Sequence, residues 1–236
     1  MKSALARQAL AEFLGTMFLV AVVVGSGIMA VRLSPGDVGL QLLENSFATA
    51  GGLVALILAF GSVSGAHFNP VVSLVDWRLG GLSTRALTAF IPAQVAGAIC
   101  GSMIANLMFD LAAIEWSSKP RDGSGVWLAE VVATVGLLLV IFGSVRGGNS
   151  RATPFAVGAY IGSAYFFTSS TSFANPAVTI GRMFTDTFAG IEPASVAAFI
   201  GAQLVGAVLA YAVIRVLFPA FDATEAVMPH DAELSS

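Results

Sequence analysis

Six apolar runs divide the chain, at about 9–31, 46–63, 87–109, 127–145, 153–170 and 195–218. Several reach or exceed the ~20 residues that a helix needs to cross ~30 Å of hydrocarbon. In lipid every backbone N–H and C=O must be satisfied within the protein, so only helices or a closed barrel can span. Runs of this length predict helices. Composition agrees: 56% of the 236 residues are hydrophobic and 11% are charged, less than half the ~25% of a soluble domain. The expected class is an all-α membrane protein with six transmembrane helices. Lys2 and Arg7 precede the first run as in a signal peptide, but Glu12 interrupts it and no clear small-residue cleavage site follows. A retained first helix is expected.

Six spans place both termini on one side. Lys2, Arg7, Arg78, Arg85, Arg146, Arg151 and Arg215 fall in one set of loops, and Arg32, Lys119, Arg121 and Arg182 in the other. The excess of basic residues predicts cytoplasmic termini. The net charge of −3 makes no case for nucleic acid. Cys100, the one cysteine, has no partner within the chain and reads as a small buried hydrophobe. The last residues, 219–236, are acidic and expected to be disordered, with no specific role for His230. Glycines four apart, Gly97 with Gly101 and Gly158 with Gly162, read as close helix contacts.

The chain is written twice. "AEFLGT" at 11–16 matches "AEVVAT" at 129–134, an offset of 118; Asn69-Pro70 matches Asn175-Pro176, an offset of 106; "FIPAQVAGA" at 90–98 matches "FIGAQLVGA" at 199–207, an offset of 109. Each half holds three spans, so the second enters the membrane inverted. The reading is a first repeat over 1–109, a connecting loop over 110–126 and a second repeat over 127–218. In each half the Asn-Pro pair follows the second span and precedes a short apolar stretch. About ten residues of helix rise ~15 Å, half of the hydrocarbon core. Two re-entrant half-helices meeting at the midplane are predicted.

Asn-Pro suits such a junction. Asn is a strong N-cap, and Pro at the first helical position gives up an N–H that would be orphaned anyway. With its oxygen held by the first-turn amides, each Asn has an NH₂ free to donate into the space before it. Each half-helix also presents about +0.5 charge at its N-terminus. Asn69, Pro70, Asn175 and Pro176 therefore predict a midplane pore that binds oxygen lone pairs and repels cations.

With "AEFLGT", "SGAHFNP", "FIPAQVAGA", "AEVVAT", "FANPA" and "FIGAQLVGA" together, the chain resembles the aquaporin and aquaglyceroporin family, the major intrinsic proteins, over residues 8–218. The resemblance implies a homotetramer with one pore per subunit, passive conduction, and no metal or cofactor. It gives Glu12 and Glu130 the role of buried glutamates that hold the re-entrant loops by accepting backbone N–H bonds; a proton relay is the alternative. It places His67 at the cytoplasmic vestibule, as a structural residue rather than a titrating switch.

Two positions depart from the family pattern. Val71 follows the first Asn-Pro where alanine is usual. More important, Val178 stands where most members carry the filter arginine, three residues after the second Asn. Ungapped counting from the asparagines puts the other filter positions at Thr49, Ser163 and Ser172, a small, uncharged quartet. Arg182, one turn beyond Val178, is an alternative source of the charge. The valine resembles a bacterial subgroup linked to arsenic resistance. A bore this wide suits glycerol-like polyols or arsenous acid beside water. The expected function is a passive channel for small neutral solutes in the bacterial inner membrane, with a water-selective aquaporin as the alternative. An ion-coupled transporter would need ionisable residues at the midplane, and only Glu12 and Glu130 are available. A membrane enzyme would need a catalytic constellation, and there is no HExxH, Cys–His or Ser–His arrangement in the spans. A scaffolding role is neither supported nor excluded.

Overall fold

Leu and Ala in long runs bring helix propensity, and with Val and Ile they bring apolar surface; the described residues of this computed structural model, 2–219, are helical with connecting loops. Apart from Pro219, the acidic tail and His230 lie outside the described residues. The helices are α1 (Lys2–Leu33), α2 (Val38–Ser64), α3 (Pro70–Leu79), α4 (Thr84–Met108), α5 (Ser124–Arg146), α6 (Thr153–Phe167), α7 (Pro176–Arg182) and α8 (Pro193–Leu217). The two short apolar stretches after Asn-Pro are α3 and α7.

Five helices, α1, α2, α4, α5 and α8, are long and apolar enough to cross a membrane. The sixth expected span is shorter than its apolar run: α6 has 15 residues, a rise of ~22 Å. It stops because Thr168 turns extended, at φ −110° and ψ 138°, and the chain enters the polar stretch Ser169–Ser170–Thr171. The connecting loop is also shorter than expected, since α5 begins at Ser124 rather than 127. The starts of α2 and α4 follow capping chemistry: the Asp37 side chain accepts from Leu40 N–H at 2.9 Å and that of Ser83 from Ala86 N–H at 3.1 Å.

The two halves pack alike. α1 lies against α2 and α4, α5 against α6 and α8, and α2 meets α6 across the centre. The half-helices sit inside this ring, α3 touching α4 and α8, α7 touching α4 and α8, and each touching the other. Val20, Val24, Leu138 and Ile214 are fully buried, while Phe18, Leu58, Phe155 and Val208 are exposed on the outside. An apolar rim around an interior that buries Glu12, Glu130, Gln94 and Gln203 beside its apolar core suits lipid rather than water. Cys100 is half-buried rather than buried, and carries no disulfide.

Glycine sets the closest approach. A Cβ on Gly97 would lie 2.3 Å from the Phe13 carbonyl oxygen, so α4 rests directly on the backbone of α1. Its counterpart Gly206 would place a Cβ 2.9 Å from the Val131 oxygen on α5. Backbone cannot yield as a side chain can, so Gly97→Ala should destabilise by about 1–3 kcal/mol, as overpacking does. Gly201→Ala, with nothing within 4 Å, should be neutral or gain up to ~1 kcal/mol from helix propensity. Thermal melting in detergent checks both, and equal melting of the two variants would contradict the assigned contact.

Candidate functional site

α2 ends at Gly65, whose φ of +87° lets the chain leave the helix sharply. From there the first re-entrant loop runs to Asn69 through Ala66 and Phe68, both left-handed at φ 50°. The second loop has Ser172 and Ala174 in the same conformation, at 53° and 48°, each 106 residues after its counterpart. Non-glycine residues in this region are strained by about 1–3 kcal/mol each, so something must hold them.

The two glutamates do. Glu12, fully buried, accepts at Oε1 from Ser64 Oγ (2.6 Å) and His67 N–H (3.0 Å), and at Oε2 from Phe68 N–H (2.7 Å) and Gln94 Nε2 (2.7 Å). Glu130 accepts at Oε1 from Phe173 N–H (2.9 Å) and at Oε2 from Ala174 N–H (2.9 Å) and Gln203 Nε2 (2.6 Å). A buried carboxylate surrounded by donors is electrostatically satisfied. Both glutamines pass the network on, to Ser73 Oγ at 3.0 Å and Thr179 Oγ1 at 2.9 Å.

Asn69 and Asn175 cap the half-helices. Asn69 Oδ1 accepts from Val71 N–H at 3.1 Å; Asn175 Oδ1 accepts from Ala177 and Val178 N–H at 3.0 and 3.2 Å. Pro70 and Pro176 occupy the first helical positions. Here the structure corrects one expectation. The amide groups are not wholly free, because Asn69 Nδ2 donates to the Ala174 oxygen and Asn175 Nδ2 to the Phe68 oxygen, each at 2.8 Å. Each NH₂ has two hydrogens, so one ties the loops together and one is left for the cavity. Replacing either asparagine by Ala removes a cap of ~0.5–2 kcal/mol and a cross-loop bond together. Melting temperature and solute flux per assembled protein should both fall strongly, and wild-type values in both variants would contradict this geometry.

A cavity of about 70 Å³ threads between the half-helices. Leu19, Leu53, Ile57, Leu137, Ile141 and Ile161 form its apolar wall. Its polar lining includes Asn69, Asn175, His67, Thr49, Tyr165, Ser172 and Arg182, with Val72 and Val178 at matching places on α3 and α7. His67 is braced: Nδ1 shares a hydrogen bond with Ser73 Oγ at 2.9 Å, Nε2 lies 3.4 Å from Asp76 Oδ2, and the ring stands edge-on to Phe90.

Of the four residues counted as a filter, Thr49, Ser172 and Val178 line the cavity and Ser163 does not. Ser163 is exposed and bonds back to the Ala159 oxygen at 2.8 Å. α6 instead supplies Tyr165, whose hydroxyl is 3.1 Å from Thr49 Oγ1. Counting back without a gap misplaced the position by two residues, and two residues turn a helix by ~200°, to its opposite face. Ser172 Oγ is buried and has no protein partner among the described residues.

Arg182 is also not a loop charge. It is 2% exposed, lines the cavity, stacks its guanidinium 3.4 Å from the centre of the Phe173 ring and donates from Nε to the Ala189 oxygen. The other side of this region is held by Arg121, from the connecting loop, which sequence reasoning did not single out. Its Nε donates to the Gly190 oxygen at 2.9 Å and an Nη to the Ser170 oxygen at 3.2 Å, with its guanidinium 4.8 Å from the Phe173 ring centre. Burial lowers the Arg121 pKa to about 10, still far above neutrality. No periodicity marks a loop arginine, so only the fold could reveal it.

Helices around a central cavity, with two capped half-helices meeting in it, define a membrane-embedded conduit, and comparison with known proteins agrees. The family model described as major intrinsic protein matches residues 1–172. Among curated proteins the chain is 51% identical over 211 residues to aquaglyceroporin AqpS of Rhizobium meliloti, covering 89% of this chain and 90% of that one. It is 33% identical over 217 residues to the glycerol uptake facilitator protein of Pseudomonas aeruginosa, covering 79% and 76%. The X-ray structure of the aquaglyceroporin from Plasmodium falciparum shares the fold, with a TM-score of 0.71 at 22% identity over 91% of this chain and 98% of that one. The chain belongs to the major intrinsic protein family, a family of channels, and is a multi-pass membrane protein.

Proposed function

We propose that this protein is a passive channel for small neutral solutes, glycerol-like polyols first among them, with water as a co-permeant. The cavity carries the reading. Hydroxyls, two asparagine amides, the His67 ring and one arginine supply its polar lining, and no carboxylate lines it among the described residues. A polyol can exchange its water for such groups on one side while its carbon backbone slides along Leu and Ile on the other. Glu12 and Glu130 are both occupied by loop donors, so neither is available to couple transport to protons. The names of the two bacterial relatives support glycerol as the solute class. Arsenous acid, a small neutral trihydroxy acid, fits the same donors.

The two repeats, 1–109 and 127–218, are read as inverted copies joined by the loop at 110–126. With Arg182 in the cavity, the loop arginines and lysines stand at seven against three, which favours cytoplasmic termini in a bacterial inner membrane. A homotetramer with one pore per subunit completes the proposal, and no catalytic role is assigned. Stopped-flow light scattering on proteoliposomes, with water, glycerol, urea and arsenous acid measured separately, tests it. Glycerol flux should proceed down its gradient without a proton or sodium gradient. Flux that requires an ion gradient would replace the channel with a coupled transporter, and rapid water flux without glycerol flux would make it a water-selective pore.

A further inference from the structure

The offset of 106 that relates Asn69 to Asn175 also relates Val72 to Val178, His67 to Phe173 and Asp76 to Arg182. The structure honours each pairing. Val72 and Val178 both line the cavity. His67 contacts Asp76 at 3.4 Å on the α3 side, and Phe173 contacts Arg182 at 3.4 Å on the α7 side. Both half-helices thus place an ionisable residue seven positions after the capping asparagine and hold it against the ring two positions before that asparagine. On α3 the residue is an acid that pairs with a histidine. On α7 it is a cation that makes no ion pair among the described residues, although the buried Glu130 carboxylate acts on it through space.

Arg182 has five N–H donors, and Nε–H alone has a protein acceptor among the described residues. Its two terminal NH₂ groups are therefore available to the cavity that the residue lines. Phe173 fixes the plane of the guanidinium from one face, and the carbonyl of Ala189 fixes its edge. Arg121, near the same ring, adds to the positive potential instead of cancelling it. The nearby Tyr165 and Thr49 are neutral and bonded to each other.

We propose that Arg182 is the charge-selecting residue of this channel: it supplies the fixed cation of the constriction from one turn beyond Val178, and its terminal amino groups donate to the oxygens of passing solutes. Placing the guanidinium one turn away from the valine keeps the charge while leaving the bore beside Val178 open. The proposal rests on the channel reading. Arginine is charged at every physiological pH, so the barrier to cations is permanent.

The test compares Arg182→Met and Arg182→Lys with wild type in proteoliposomes, reading sodium leak by conductance and glycerol flux by light scattering. Met should raise the sodium leak about tenfold or more, since a fixed charge beside the lumen raises the electrostatic barrier, and it should lower glycerol flux as well, because passing hydroxyls lose their donors. Lys should retain exclusion. A Met variant that assembles, conducts glycerol and excludes sodium like wild type overturns the assignment. Wild type that conducts neither glycerol nor water down a gradient overturns the channel reading instead. A measurement on wild type alone guards against variants that do not assemble: glyoxal, an arginine-selective dicarbonyl smaller than glycerol, is applied to detergent-solubilised protein. It should modify Arg182 by peptide mass spectrometry, and excess glycerol should protect that site. Modification of exposed Arg151 without any at Arg182 would mean the guanidinium is closed off from the lumen, and the proposal would fall.

Discussion

Glu130→Ala should leave little folded protein. The substitution strips the acceptor from Phe173 N–H, Ala174 N–H and Gln203 Nε2 at once, and each buried donor left without a partner costs about 1–3 kcal/mol. Three such losses approach the whole stability of a typical domain, ~5–15 kcal/mol. They also release two loop residues, Ser172 and Ala174, from left-handed conformations that only the fold maintains. Glu130→Gln should be far milder. Its one oxygen can keep the Oε1 bond; its NH₂ gives up the bond from Ala174 N–H but would face Gln203, whose own Oε1 is buried and without a partner among the described residues. A flip of the Gln203 amide turns that acceptor toward the new donor. Glu12 faces Gln94 in the same arrangement, so Glu12→Gln and Glu12→Ala should separate in the same way. Yield of monodisperse protein and its melting temperature read the difference. If Gln and Ala behave alike at both positions, the anchoring role is wrong. If Gln leaves the fold intact but abolishes a proton-driven flux, a relay replaces the anchor.

The second large effect is on selectivity. Val178→Arg puts a second guanidinium into the cavity near Thr49, Tyr165 and Arg182. In a water-lined space arginine avoids most of the cost of a charge in hydrocarbon, so the chain should still assemble. The bore narrows, and glycerol flux should drop by about tenfold or more, the effect of ~1.4 kcal/mol of added barrier, while water flux drops less. Cation leak should not rise. Equal loss of water and glycerol flux would indicate misfolding or a constriction elsewhere. Unchanged glycerol flux in assembled protein would mean that Val178 does not border the narrow point.

Those expectations trace to two kinds of legibility in the chain. The membrane helices and the break at each Asn-Pro could be read directly, because burial in lipid and N-capping are local demands that residue type and spacing express. Glu12 and Glu130 stood out for a similar reason: a carboxylate within an apolar run must meet donors somewhere. What the sequence withheld depends on where separate segments come to rest. The length of the loop between α6 and Asn175 could not be counted, so Ser163 stood in for Tyr165. The loop arginine Arg121 reaches the Phe173 ring only because its loop folds across the segment after α7, with Ser117 N–H donating to the Met183 oxygen at 2.9 Å. Arg182 could be noticed one turn beyond Val178, but its stacking partner could not. The cross-loop bonds of the asparagines were illegible as well, since each acceptor is more than a hundred residues away.

Those cross-loop bonds also bear on how the molecule is built. The ribosome delivers Asn69 and Phe68 long before Ala174 and Asn175 exist. Throughout that interval the amide of Asn69 and the carbonyl of Phe68 lack the partners that they hold in the finished structure, although Glu12 and Gln94 are already in the membrane. The first half can therefore be inserted and packed with its re-entrant loop held by Glu12, but the bonds across to the other loop wait until the second half supplies them. Each half carries the missing piece of the other, so the passage comes into being only at the end of synthesis. A nascent chain that has inserted three helices has no finished hole in it, and the cell's permeability barrier is not breached by work in progress.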